Sequence, residues 1–407
     1  MGCHDTGDCS LRPRLLDIVR CPSCRSRLDL HALVEERRPL ARPALAERCV
    51  GSAERYEREI REGFLRCTGC PLVYPVLAGV PRLIRNAYEE YQEFYWRHRE
   101  ALGGLEGMEG VLRRLGTVDA SAFDRRSNES FGRQWQEYQY GDRTWFKDDL
   151  ALRQGEFLAS MDLKEDDLRG RLILDAGCGN GKLTASVATY EAEVVGMDLS
   201  RSVERAAENA ERSAGENAPF VHFVQGNILE PPLAQESFDH IHTSGVLHHT
   251  PDTWRSFRSF LTLGKPGAHV YVQLYRVREP WIGIPNAAIR AVTSRLPVEL
   301  TWRLCWHLVP LHTLAVRMVA KLRGEVTPIT QANRRERTVS LFDNYSPRYQ
   351  YRYRPEEVRA QFETAGLEAV KDVTFENEAR HMVAFVGRKP KAAAAVAPGG
   401  GRLEPAA

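Results

Sequence analysis

Asp175-Ala176-Gly177-Cys178-Gly179-Asn180-Gly181 follows the apolar run 171–174 and leads into a helical stretch at 181–190. Outward from it, apolar runs recur at 193–197 and 220–224, with a second helical stretch at 201–212 between them. Short apolar runs alternating with helices predict a βαβαβ unit, hence an open parallel sheet of the Rossmann-like α/β class. Ligands on such sheets bind beyond the carboxyl ends of the strands, where the topology reverses. Glycines 177, 179 and 181 stand at the first of those ends, where bare backbone lets a ligand approach closely.

A glycine loop alone does not name its ligand. Asp198 ends the second strand, 23 residues after Asp175, at the place where a carboxylate accepts both hydroxyls of a ribose. The third strand runs into Gln225-Gly226-Asn227-Ile228. Asn227 can donate and accept, which suits an adenine edge. Nicotinamide dinucleotides use the same acid after the second strand, but their pyrophosphate calls for Gly-x-Gly-x-x-Gly at a helix start. Here the order is Asp-x-Gly-x-Gly-x-Gly. The leading acid repels phosphate and favours a cation such as the amino group and sulfonium of S-adenosylmethionine.

Four segments in order, LDAGCGNGKLT (174–184), VVGMDLS (194–200), FVQGNILEPP (223–232) and FDHIHTSGVLHHTPD (238–252), resemble the successive motifs of class I S-adenosylmethionine-dependent methyltransferases. The resemblance, over about 131–389, implies a seven-stranded sheet with a reversed last hairpin, here at 367–374 and 381–388. It implies S-adenosylmethionine as methyl donor and cofactor roles for Asp175, Gly177, Gly179, Asp198 and Asn227. Leu199 and Ile228 would flank ribose and adenine, and Ser244 stands at the end of the fourth strand. Phe131-Gly132-Arg133-Gln134-Trp135 resembles the opening of some bacterial small-molecule methyltransferases, which puts Gln134 and Trp135 on the cofactor. For these two, and for the following Tyr138, Tyr140, Trp145 and Phe146, plain packing is the competing reading.

Methyl transfer from a sulfonium is an in-line displacement that mainly requires alignment and exclusion of water. A hydroxyl or amine acceptor would also gain from a base. His249 is the first candidate, because an ordinary imidazole titrates near neutrality and relatives carry a histidine there; Tyr275 is the second. Some quinone-pathway methyltransferases have Glu-His where this chain has His248-His249, so a metal-assisted mechanism does not carry over. The segment 341–352 concentrates tyrosine and arginine, and its Asp-x-Tyr-Ser-Pro-x-Tyr run is similar to runs in the same bacterial enzymes. It is expected to face the acceptor, with Tyr345 as the third catalytic candidate; Arg with Tyr suits a carboxylate, phosphate or sugar.

Upstream, Cys21-Pro22-Ser23-Cys24 and Cys67-Thr68-Gly69-Cys70 form two Cys-x-x-Cys pairs, a spacing that points two thiolates at one tetrahedral metal. Four thiolates leave no open position for an activated water, so the expectation is a structural zinc. The 42 residues between Cys24 and Cys67 exceed a usual ribbon spacing. The charged stretch 54–62 reads as an insertion with a short helix, while 15–20, 72–76 and 79–84 read as strands. LLDIVRCPSC with LRCTGCPLVYPVLAGVPRLI resembles the small zinc-ribbon protein that activates tRNA, rRNA and release-factor methyltransferases, here fused to a catalytic domain.

The expected organisation is a zinc ribbon at 11–86, a helical connector at 87–130, a methyltransferase domain at 131–275 and 341–389, a helical cap at 276–340 and a disordered tail at 390–407. The cap carries 11 Lys/Arg against 4 Asp/Glu, a charge of +7, which leaves −5 for the rest of a chain whose net charge is +2. That small total does not itself predict a nucleic-acid or membrane partner. No apolar run approaches the roughly 18 residues of a membrane span, and the start of the chain lacks a secretory pattern. The nine cysteines are therefore expected in a reducing cytoplasm. The leading function is methylation of oxygen or nitrogen on a small metabolite; a tRNA, rRNA or protein methyltransferase and a non-catalytic nucleoside sensor are the alternatives.

Overall fold

The computed structural model describes residues 11–103, 122–137, 150–323 and 333–391. Tyr138, Tyr140, Trp145 and Phe146, the glycine-rich joint beyond 103 and the tail beyond 391 lie outside the described residues. Four strands come first: β1 (Leu28–Arg37), β2 (Arg58–Cys67), β3 (Val73–Leu77) and β4 (Val80–Leu83). Seven follow: β5 (Leu172–Ala176), β6 (Glu193–Asp198), β7 (Val221–Gly226), β8 (Phe238–Ser244), β9 (Gly264–Tyr275), β10 (Glu368–Asp372) and β11 (Met382–Arg388). The longer helices are α1 (Ala122–Glu137), α2 (Leu150–Met161), α3 (Lys182–Ala188), α4 (Ser202–Ser213), α5 (Thr253–Leu261), α6 (Pro280–Thr293), α7 (Val298–Arg323), α8 (Arg334–Tyr345) and α9 (Pro355–Thr364).

The eleven strands of the described residues form one sheet in the order β1-β2-β3-β4-β7-β6-β5-β8-β9-β11-β10. The last seven places form the seven-stranded sheet with a reversed last hairpin that the resemblance implied: β5 to β9 pair in parallel, and β11 runs antiparallel to β9. β5 and β7 are buried along their whole length and β6 up to its last residue, as strands covered by helices on both faces must be. The order reverses between β5 and β8, which sets the ligand crevice at their carboxyl ends.

The amino-terminal strands extend this sheet through a parallel pairing, Arg82 with Gln225 and Leu83 with Gly226. Buried polar contacts accompany it. Glu193 on β6 receives Arg14 at 3.1 Å, Tyr56 Oη at 3.2 Å and His222 Nε2 at 3.0 Å, and Arg12 pairs with Glu59 at 2.6 Å. A buried carboxylate with three partners is satisfied, whereas losing the arginine would strand it. Apolar residues of both parts, among them Phe64, Phe94, Val195 and Leu274, belong to one core.

One local expectation fails. Residues 15–20 do not form a strand: Pro13–Asp17 is a 3-10 helix with Pro13 at its start, since proline presets helical φ and offers no ladder donor. Leu15, Ile18 and Val19 are buried all the same, so the apolar run marked burial and not extension. The short helix expected in the charged stretch 54–62 is Glu54–Glu57, and β2 begins at Arg58, with Ile60, Phe64 and Leu65 fully buried.

In the cap, the inner face of α7 places Trp302, Cys305 and Val309 on Val339, Leu341 and Phe342 of α8. Its outer face exposes Leu300, Leu304, Leu308, Leu311, Met318 and Leu322. Among the described residues no helix is long and apolar enough to cross a membrane.

Candidate active site

A cavity of about 1020 Å³ lies at the carboxyl ends of β5 to β9. Gln134, Trp135, Asp175, Gly177, Asp198, Leu199, Asn227, Ile228, Ser244, His249, Tyr275 and Tyr345 all line it. Gly179 does not: it lies under the Trp135 ring, where a Cβ would collide with the indole. Its φ is +54°, so glycine is required here to seat Trp135 as well as to open the turn.

The loop is tied to β6. The amides of Gly177 and Cys178 donate to the Met197 carbonyl at 2.7 and 3.1 Å, and the Gly179 amide donates to Asp198 Oδ2 at 3.0 Å. Asp198 Oδ1 accepts from the Ser200 amide and hydroxyl at 2.9 and 2.8 Å. Burial raises the Asp198 pKa, opposed by these bonds. Asp175 accepts from Thr184 Oγ1 at 2.7 Å and lies 3.5 Å from His242 Nδ1. Asn227 Oδ1 accepts from the Leu229 amide at 2.9 Å, which fixes its side chain at the end of β7. Ser244 donates to Gln273, whose amide in turn donates to Glu378 at 2.7 Å.

The other end of the cavity is aromatic and basic. His249 Nδ1 lies 2.9 Å from the Tyr349 carbonyl, an arrangement that makes Nδ1 the donor and leaves the Nε2 lone pair available. Burial pushes its pKa down to about 3, and Arg290 and Arg352 push the same way. Its neutral form is therefore present throughout pH 6 to 9 (the ordinary imidazole range), which corrects the expectation of a base titrating there. His248 is fully buried and stacks on Tyr275 with ring centres 3.9 Å apart. Its Nδ1 accepts from the Tyr275 amide at 3.2 Å, so it braces the loop.

Tyr275 Oη donates to Asp343 Oδ2 at 2.9 Å. Burial pushes the Tyr275 hydroxyl well above its ordinary value, and the neighbouring Asp343 adds to the shift. Burial also raises Asp343, against hydrogen bonds from Tyr275 and Gln134. Asp343, Arg278, Arg352 and His381 line the same wall; Asp343 and Arg352 belong to the 341–352 segment expected to face the acceptor, whereas Arg278 and His381 went unremarked as site residues in the sequence.

In the amino-terminal part, the sulfurs of Cys21, Cys24, Cys67 and Cys70 all lie within 4.8 Å of one another, with Cys21 to Cys70 at 3.7 Å and Cys24 to Cys67 at 3.3 Å. Bonds of about 2.3 Å to a tetrahedral zinc imply sulfurs about 3.8 Å apart, so the four thiols fit that ion.

Residues 174–272 match the family described as "Methyltransferase domain", and residues 12–78 match "Trm112p-like protein". The chain joins a methyltransferase domain to a Trm112p-like module. The methyltransferase domain is similar to the ubiquinone biosynthesis O-methyltransferases of Ralstonia nicotianae, 37% identical over 106 residues, and of Proteus mirabilis, 31% identical over 120 residues. These alignments cover 26% and 29% of the chain and 43% and 48% of the relatives, so the chain spans under half the length of the curated relatives it matches. Among solved structures, magnesium protoporphyrin IX methyltransferase from Synechocystis PCC 6803 aligns with a TM-score of 0.39 and 15% identity, over 66% of this chain and 97% of that one.

Proposed function

We propose that the chain transfers a methyl group from S-adenosylmethionine to an oxygen, or alternatively a nitrogen, of a small-molecule acceptor. The observation that carries this reading is the pairing of Asp175 and Asp198 around one cavity floored by the bare loop. Two carboxylates favour a cationic nucleoside and repel a pyrophosphate. The names of the relatives favour oxygen as the acceptor atom.

Asp175 would face the amino acid end of the donor, Asp198 its ribose and Asn227 its adenine, with Leu199 and Ile228 as apolar walls. When bound, S-adenosylmethionine supplies an electrophilic methyl on a sulfonium. Trp135 covers the loop and helps exclude water, which strengthens every charge interaction inside. The Nε2 of neutral His249, a weak base with its pKa at about 3, can accept a hydrogen bond from the acceptor, and the Tyr275–Asp343 pair can take its proton, with Tyr345 beside them. The cap, 276–340, walls the acceptor side, and a structural zinc on Cys21, Cys24, Cys67 and Cys70 would hold the ribbon.

Calorimetry with the full chain tests the donor. S-adenosylhomocysteine is expected to bind and NAD not to, and Asp198→Ala is expected to weaken binding at least about tenfold, the loss of a charge-assisted hydrogen bond. Uptake of NAD without S-adenosylhomocysteine would refute the reading. A second reading, methylation of RNA or of a protein, is favoured by the Trm112p-like match; tRNA binding that falls steeply with salt would support it.

A further inference from the structure

The two ends of the cavity carry opposite charge. Glu156, Asp175 and Asp198 line one end; Arg278 and Arg352 line the other, beside His249 and Tyr275. The guanidinium of Arg278, on the link from β9 to α6, makes no hydrogen bond or ion pair with any described residue. Arg352 donates to the Arg276 carbonyl at 3.2 Å and to Gln350 Oε1 at 3.1 Å, and stacks 4.9 Å above the Tyr275 ring. Among the described residues neither guanidinium has a carboxylate partner.

Nearby charges do not compensate them. Arg290, behind the wall, spends its donors on the carbonyls of Asn344 and Pro347. Burial lowers Arg352 to about 10, and repulsion from Arg278 and Arg290 adds to it. His381 is likewise lowered, first by burial and then by Arg278 and Arg352. Asp343 already holds Tyr275 and is raised by burial, and Glu378 is bonded to Gln273 on the Ser244 side. Unpaired cations in a low-dielectric pocket are costly unless an anion arrives.

We infer that the acceptor carries an oxyanion, a carboxylate or a phosphate, held by Arg278 and Arg352 next to His249 and Tyr275. A planar guanidinium presents paired N–H donors that match such a group. Beyond them the wall turns apolar at Trp281, Pro285 and Ile289, so the rest of the acceptor is an aromatic or alkyl body. This rests on the methyl-transfer reading, and it explains how a positive donor and a negative acceptor sort to opposite ends of one cavity.

The test uses the full chain saturated with S-adenosylhomocysteine and titrated calorimetrically with benzoate and, separately, with inorganic phosphate. One of the two is expected to bind at one site per chain and to weaken at least about tenfold in Arg278→Gln and in Arg352→Gln, but not in Arg295→Gln, an exposed cap residue that does not line the cavity. Arg278→Lys, which keeps the charge and loses the fork, should fall between. Arg278→Gln is the cleaner variant, since it removes no internal bond, and its unfolding midpoint should stay at that of the parent. No binding of either anion, or equal binding by Arg278→Gln, overturns the inference. So does loss of S-adenosylhomocysteine affinity in Arg278→Gln, which would place the arginine on the donor's own carboxylate. Failure of S-adenosylhomocysteine to bind the parent chain would instead count against the methyl-transfer reading.

Discussion

His249 changes meaning once its surroundings are known. From sequence it is a histidine of ordinary basicity after the fourth strand; in the fold it is buried and held neutral. Its pKa drops from the ordinary 6.5 to about 3, and that of His240 drops to about 4, burial being the largest cause for both. In the unfolded chain both regain their ordinary values. Stability contributed by their neutral forms is therefore complete above about pH 6.5 and lost as pH falls toward 4 and 3. The urea midpoint of the chain is expected to fall across that acid window, and less so in His249→Gln; an identical slope in the variant would rule the assignment out. Asp175, Asp198 and Asn227 were legible because a strand end fixes where a side chain points. Arg352 was legible as part of the 341–352 segment, but its meeting with Arg278 was not, because 74 positions separate them and only the folded wall brings them to one cavity.

At the level of elements, β5, β6 and β7 and their helices follow the alternation of apolar and polar runs, because a strand covered on both faces is apolar throughout. The 3-10 helix at Pro13–Asp17 escaped that rule, since a short apolar run signals burial without specifying extension. α7 is apolar on two faces, one against α8 and one exposed. An outer row of leucines of this length exceeds the scattered apolar residues a monomer normally shows. Replacing Leu304 and Leu311 together by Gln is expected to reduce self-association, measured by light scattering, while S-adenosylhomocysteine affinity stays unchanged. Unaltered scattering would show that this face does not drive association.

Across the whole molecule, the Trm112p-like module is joined to the methyltransferase sheet by strand pairing, with β4 meeting β7 two residues before Asn227. Metal at the cysteines and binding at the cavity should therefore be coupled. Chelation, or Cys67→Ser, is expected to remove about one zinc per chain, lower the melting temperature and weaken S-adenosylhomocysteine binding. A metal-free chain with the same melting temperature and affinity would contradict this. The amino-acid sequence alone determined the alternating α/β pattern, the acid-led glycine loop and the two Cys-x-x-Cys knuckles, because each depends on residues a few positions apart. Only the tertiary structure decided the eleven-stranded continuity, the neutral His249 and the paired arginines. Desolvation and charge proximity belong to groups brought together from distant positions, and no local pattern encodes them.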